Sequence, residues 1–209
     1  MKGFSSESFK QLSAGLNRAN PVTVQVLGIC SALAVTVKLQ PATVMAISVV
    51  AVLALSNLII SLMRKLIPPA IRIIVQLVVI SFLVILVDQI LKAFAYEVSK
   101  QLSVYVGLII TNCIVMGRLE AYAMANKPYV SFVDGLSNGL GYGIILVIVA
   151  FFRELFGSGA LYGMQIIPAR FYEAGYLNNG LMIMPPAALI LLGCIIWFQR
   201  SYQKDLIEK

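Results

Sequence analysis

Six apolar runs, at about 22–37, 41–63, 70–91, 101–116, 135–152 and 181–198, fill most of this chain and are parted only by short polar joints. No water-soluble fold accommodates that pattern. Of the 209 residues, 60% are hydrophobic and 12% charged, against roughly 45–50% apolar and 25% charged in soluble domains. There are too few charges to cover a surface facing water. At ~20 apolar residues per crossing of the hydrocarbon core, the runs predict an all-α polytopic membrane protein with six transmembrane helices.

Helix punctuation agrees with this count. Pro41 opens the second run, Pro68 and Pro69 precede the third, Gly135 opens the fifth, and Pro185 and Pro186 fall in the first turns of the sixth. Proline is tolerated at helix starts because its missing N–H matters least there. Ser131, with Asp134 three residues later, reads as a capping-box variant before the fifth run. Residues 1–21 are mixed and polar, and Phe9, Leu12 and Leu16 recur at helical spacing beside Lys10 and Arg18. That pattern suits a short helix on the membrane surface. Ala32-Leu33-Ala34 has the spacing of a signal-peptidase site, but the apolar run continues past it to Lys38, which favours a span over a cleaved leader.

The net charge of +7 comes from sixteen Lys and Arg scattered singly between runs. They form no basic stripe interleaved with aromatics, so nucleic acid is not the expected partner. Assigned to alternate compartments, Lys2, Lys10, Arg18, Arg64, Lys65, Arg72, Arg118, Lys127, Arg200, Lys204 and Lys209 fall on one side. Lys38, Lys92, Lys100, Arg153 and Arg170 fall on the other. By the positive-inside rule both termini are cytoplasmic. The expected organisation is a cytoplasmic segment 1–21, three spans over 22–92, three more over 101–198, and a cytoplasmic tail 199–209. The stretch from Leu155 to Gly180, beginning in FGSGALYGM, then lies outside.

Chemistry is narrowed by what the chain lacks. It has no histidine, which removes His-based triads, imidazole metal sites and the usual proton shuttle at neutral pH. Its three cysteines, an odd number without a C-x-x-C pair, all lie in apolar runs and form no disulfide framework.

Two segments stand apart from the rest. The first and fourth runs are each about sixteen residues, ~24 Å of helix against a ~30 Å hydrocarbon core. Both carry glycine and one central cysteine: QVLGICSALAV, with Gly28 and Cys30, and VGLIITNCIVMG, with Gly107, Cys113 and Gly117. They open the two halves of the chain, and three spans per half turn the second half upside down relative to the first. Short, glycine-interrupted segments at matching positions of inverted repeats point to a midplane site made by broken helices. In that arrangement Cys30 and Cys113 approach one site, with Ser31, Thr111 and Asn112 as polar neighbours. Thiolates without imidazole or carboxylate select iron–sulfur clusters, zinc or copper(I). Two thiolates do not complete a four-ligand set, so the remaining ligands are expected from another chain. Cys194, in ALILLGCIIWF, has no counterpart in the first half and reads as a small hydrophobe of the sixth span.

The segments NPVTVQVLGICSALAVTVKL, SLMRKLIP, IRIIVQ, QLSVYVGLIITNCIVMGRLEAYAM, DGLSNGLGYG and FFRELFGSG closely resemble the D subunits of bacterial sodium-translocating NADH:quinone oxidoreductases. The resemblance runs from about Asn20 to Trp197 and is looser to the sister E subunits and to the Rnf ferredoxin:NAD oxidoreductase complexes. It implies a multi-pass protein of the bacterial inner membrane, paired with an inverted homologue, the E subunit, beside the A, B, C and F subunits. It also implies a 2Fe-2S cluster shared with that E subunit, for which Cys30 and Cys113 would be this chain's ligands, while flavins and NADH are bound by other subunits. The cluster would carry one electron across the membrane. An Rnf-type ferredoxin:NAD oxidoreductase subunit is the alternative within the resemblance; a secondary transporter or a non-redox scaffold with inverted repeats are the other competing readings, and these two leave the matched cysteines unexplained.

Among the charges near the runs, Asp88 and Lys92 are spaced to pair along one helix face. Arg72 is read as an interface anchor. Arg118 and Glu120, just beyond the Cys113 segment, are candidates for docking a cytoplasmic electron donor. No carboxylate-rich cation site is evident.

Overall fold

The computed structural model describes residues 20–94, 107–162, 164–165 and 179–202. These are mostly helical: α1 (Ile29–Val35), α2 (Leu39–Met63), α3 (Arg72–Phe94), α4 (Cys113–Arg118), a π-helical turn (Leu119–Ala123), α5 (Pro128–Ser158), a 3-10 turn (Gly180–Ile183) and α6 (Pro185–Tyr202). The strands β1 (Ala160–Leu161) and β2 (Met164–Gln165) pair antiparallel just after α5. Among the described residues three helices are long and apolar enough to cross a membrane: Leu39–Met63, Arg72–Ala93 and Pro128–Ser158. The expected surface helix with Phe9, Leu12 and Leu16 lies outside the described residues, as do 95–106 and most of the 155–180 stretch.

Helices α2 and α5 are the axis of the molecule. In lipid there is no hydrophobic drive between helices, so close packing of small residues has to supply the attraction. Gly135, Gly139 and Gly143, one turn apart on α5, provide it. A Cβ at Gly135 would lie 2.9 Å from the Leu53 carbonyl oxygen, one at Gly139 3.0 Å from Val50 Cα, and one at Gly143 3.2 Å from Ala46 Cβ. The α2 partners fall in number as the α5 glycines rise, so the two helices are antiparallel. Ile80, Leu83 and Val84 of α3 belong to the same buried core, while Ile73, Ile74, Val78, Phe82, Ile85 and Ile90 are exposed. An apolar face open to its surroundings is ordinary for a helix solvated by lipid.

Several boundaries differ from the sequence expectation. The fifth apolar run starts at Gly135, but α5 begins seven residues earlier, with Pro128 as its first residue and Lys127 as its N-cap. Ser131 is therefore inside the helix, where its N–H donates to the Lys127 carbonyl, and it does not cap. Hydropathy fails here because the first two turns of α5 bury polar groups against α2, as in the bond from Asn57 Nδ2 to the Ser131 carbonyl (3.1 Å). At its other end α5 runs through Leu155 to Ser158 and stops at Gly159, left-handed at φ 68, the usual glycine termination. The loop thus starts four residues later than expected. Pro185 does open the last helix, and the Asp88–Lys92 pair does form, at 2.6 Å.

The first and fourth runs are broken. In the first, Asn20 folds residues 21–25 into turns, its Oδ1 accepting from the N–H groups of Val22 and Thr23. Its Nδ2 pins the segment to α5 through the Gly141 carbonyl (3.2 Å). Val26 and Gly28 both have positive φ, 57 and 82, and only then does α1 begin. For β-branched Val26 that conformation is strained. In the fourth run a helical turn over 107–110 ends at Thr111, Asn112 is extended, and α4 restarts at Cys113.

Candidate functional site

Each break delivers a cysteine to the first turn of a short helix. Cys30 is the second residue of α1 and Cys113 the first of α4. First-turn N–H groups have no acceptor within their own helix and take partners from the cap or from elsewhere. Asn112 takes one of them, its Oδ1 accepting from the Ile114 N–H (3.2 Å). Among the described residues no three Cys, Asp or Glu side chains converge.

The two segments meet. The N–H of Gly28 donates to Cys113 Sγ at 2.8 Å, joining residues 85 apart in sequence. Ser31 Oγ donates to the Gly28 carbonyl (2.9 Å), lies 2.7 Å from the Tyr142 hydroxyl, and receives a bond from Asn112 Nδ2 (3.3 Å). Ser31 of α1 is thus tied both to Tyr142 of α5 and to the cap of α4. Two glycines permit the approach: a Cβ on Gly28 would be 2.9 Å from Tyr142 Cε2, and one on Gly117 would be 3.3 Å from Leu27 Cδ1. Among the described residues nothing lies within 4 Å of a Cβ at Gly107.

Cys30 and Cys113 are both exposed although their neighbours Ser31, Ala32, Asn112 and Ile114 are buried. Two thiols thus emerge on the surface of the chain from a rigid, hydrogen-bonded base. Thiolates accept N–H bonds and bind iron through sulfur, so this donor set fits half of a four-thiolate cluster site. Thr111, expected beside the cysteines, is exposed and bonds within its own turn, to the Gly107 carbonyl (3.2 Å). Cys194 is exposed on α6, not packed in a span as expected. Outward-facing positions of a lipid-solvated helix are apolar too, so hydropathy does not separate the two cases.

The charges at the end of α4 and just beyond it are used within the chain. Arg118 forms a fork with both carboxylate oxygens of Asp134, Nε at 3.0 Å and Nη2 with Oδ1, and lies over the Tyr122 ring. Glu120, on the π-helical turn, pairs with Arg72 at 2.5 Å and accepts from Gln76 Nε2 at 3.0 Å. The expected interface anchor Arg72 is therefore also a tie between α3 and the cysteine-bearing segment.

Sequence reasoning passes over Tyr142, a lone aromatic in the glycine stripe GLGYG, and Arg153, which counts there only as a topology charge. A tyrosine among glycines that pack helices and a charge inside the apolar run FFRELF are the signals available.

The described geometry is that of a helical membrane chain with paired broken segments, and comparison with known proteins gives its family. A profile described as "Rnf-Nqr subunit, membrane protein" matches residues 8–196, and the chain belongs to that family. It is 59% identical over 189 residues to the D subunit of the Na(+)-translocating NADH-quinone reductase of Pseudomonas paraeruginosa (strain DSM 24068 / PA7), covering 90% of this chain and 85% of that protein. To the proteins of the same name from Psychromonas ingrahamii and Shewanella sp. (strain W3-18-1) it is 55% and 54% identical over 204 residues. Those matches cover 98% and 97% of this chain, and 97% of each relative.

Proposed function

We propose that this chain is an integral membrane subunit of a sodium-translocating NADH-quinone reductase, and that Cys30 and Cys113 supply half the ligands of a 2Fe-2S cluster shared with a homologous subunit of opposite orientation. The observation that carries the reading is the bond from the Gly28 N–H to Cys113 Sγ, which joins the two broken segments while both thiols remain on the surface. A thiol pair open on one side is what a site completed by a second chain requires. Bound there, a 2Fe-2S cluster supplies a one-electron carrier within the membrane.

The chain's own residues hold the half-site. Gly28 turns the backbone so that its N–H faces sulfur, Ser31 and Tyr142 lock that turn, and Asn112 starts α4 so that Cys113 is its first residue. The antiparallel α2 and α5 and the two broken segments are consistent with inverted three-helix repeats. The Lys and Arg bias supports cytoplasmic termini in the bacterial inner membrane, with flavins and NADH on other subunits. Glu120 and Arg72, half-exposed beside α4, are the groups available to an electron donor on that side.

The test is iron content and the spin-resonance signal of the reduced cluster in the whole complex carrying Cys30→Ala or Cys113→Ala. Loss of the signal in each is the expected result. Retention in either overturns the ligand assignment.

A further inference from the structure

Arg153 is buried, 1% exposed, inside α5. Its guanidinium has five N–H donors, and the structure gives it five acceptors. Nε donates to the Met182 carbonyl (3.0 Å), Nη1 to the Leu33 carbonyl (3.2 Å) and Thr36 Oγ1 (2.6 Å), and Nη2 to the carbonyls of Ile183 (2.7 Å) and Met184 (3.3 Å). None of these acceptors carries a charge. The neighbouring Glu154 turns instead to the N-terminus of α2, accepting from the Leu39 N–H. Among the described residues Arg153 is in no ion pair.

Leu33 lies three residues after Cys30 on α1, a rise of about 4.5 Å. The guanidinium is bonded to its carbonyl, which puts a permanent positive charge, without a counter-ion among the described residues and shielded from water, on the order of 10 Å from the Cys30 end of the site. Arginine cannot discharge by losing its proton. We infer that Arg153 is a positioning residue for the Cys30 half-site and that its uncompensated charge raises the reduction potential of the group held there. The inference rests on the cluster reading above. A reduced cluster carries one more negative charge than an oxidised one, and a nearby cation favours it. At an effective dielectric constant of ~20, a unit charge ~10 Å away changes a one-electron equilibrium on the order of tenfold, which is about 59 mV.

A purely mechanical role would clamp α1 to the start of α6 without moving the potential. Redox titration of the whole complex, followed by the spin-resonance signal and by iron content, separates the two. Arg153→Gln removes the charge, Arg153→Lys retains it, and Thr36→Asp leaves Arg153 in place but sets a carboxylate against it. Iron-loaded Arg153→Gln and Thr36→Asp complexes are expected to titrate lower, with reduction about tenfold less favourable, and Arg153→Lys to stay near the wild type. A loaded Thr36→Asp or Arg153→Gln complex with the wild-type potential overturns the inference. So does loss of iron from both, which would make the guanidinium a clamp alone. Failure of the cluster reading itself would appear elsewhere, as an iron signal that survives loss of Cys30 and Cys113.

Discussion

Gly28 and Tyr142 share a space that admits no side chain at position 28: a Cβ there would stand 2.9 Å from the tyrosine ring, on a backbone already left-handed at φ 82. Position 28 is thus fixed as glycine twice, by conformation and by contact. Gly28→Ala is expected to cost about 1–2 kcal/mol for the left-handed backbone and about 1–3 kcal/mol for overpacking. Because the same residue's N–H bonds Cys113 Sγ, iron content of the purified complex should fall along with its thermal stability. A variant with unchanged melting and full iron would contradict this.

Tyr142→Phe isolates the tie between Tyr142 and Ser31. It deletes the hydroxyl bonded to Ser31, while Ser31 keeps its bonds to the Gly28 carbonyl and Asn112. With those partners intact the loss should be about 1 kcal/mol, and the cluster should remain. Tyr142→Ala also removes the ring beneath Gly28 and leaves a cavity, for which about 3–5 kcal/mol is usual in large-to-small core changes. Comparing melting temperatures of the two variant complexes checks the ratio.

The stripe on α5 gives a graded series with an internal control. A Cβ at Gly135 would meet backbone of α2, the Leu53 carbonyl oxygen at 2.9 Å and Ala54 Cα at 3.0 Å, whereas at Gly193 of α6 nothing among the described residues lies within 4 Å. Backbone cannot step aside as a side-chain tip can. Gly135→Ala is therefore expected to destabilise by about 1–3 kcal/mol, and Gly193→Ala to be neutral or to gain up to about 1 kcal/mol from helix propensity. Equal effects in a thermal assay of the assembled complex would refute the packing account.

How much of this can be read beforehand follows from what hydropathy measures. It reports membrane-compatible composition, so the helical membrane class and the places where α2, α3 and α6 lie are legible, and glycine with cysteine in two short runs marks the breaks. It cannot see a polar helix start that is buried against a neighbour, which is why the sequence makes Ser131 a cap when it lies in the first turns of α5. Nor can it tell a flanking charge from a buried one. Arg153 and Arg118 look like topology and docking charges, yet the first is saturated by five neutral oxygens and the second is held by Asp134. Tyr142 cannot be placed against Ser31, 111 residues away, without the docking of the first broken segment on α5.

The two ion pairs near α4 should respond very differently to mutation. Arg118 and Asp134 are 15% and 10% exposed at their side chains, whereas Arg72 and Glu120 are 41% and 37% exposed. Arg72→Ala is expected to change stability by at most about 1 kcal/mol, since exposed pairs are weak and screened. Arg118→Ala leaves the Asp134 carboxylate without its cation, supported by Asn138 Nδ2; about 3–5 kcal/mol is typical of a broken buried pair. The double variant Arg118→Leu/Asp134→Leu should recover part of that loss. Melting of the parent and the three variant complexes, at low and high salt, tests the contrast; only the Arg72 effect should fade with salt.

The three cysteines should sort by their place in the fold. Cys30 and Cys113 lie in first turns that follow chain breaks and are linked through Gly28, whereas Cys194 is alone on the exposed face of α6. Alanine offers no soft donor and leaves a four-thiolate site one ligand short. Cys30→Ala and Cys113→Ala should therefore each abolish NADH-driven quinone reduction in the assembled complex. On the proposed reading, in which flavins and NADH belong to other subunits ahead of this site, oxidation of NADH by artificial acceptors should persist. Cys194→Ala removes a sulfur that is exposed among the described residues, so activity should be unchanged and stability should stay within about 0.5 kcal/mol of the parent. Both activities and iron content, measured in all three variants, decide the matter: if Cys194→Ala behaves like the other two, or quinone reduction survives loss of Cys30 or Cys113, the two-segment site is wrong.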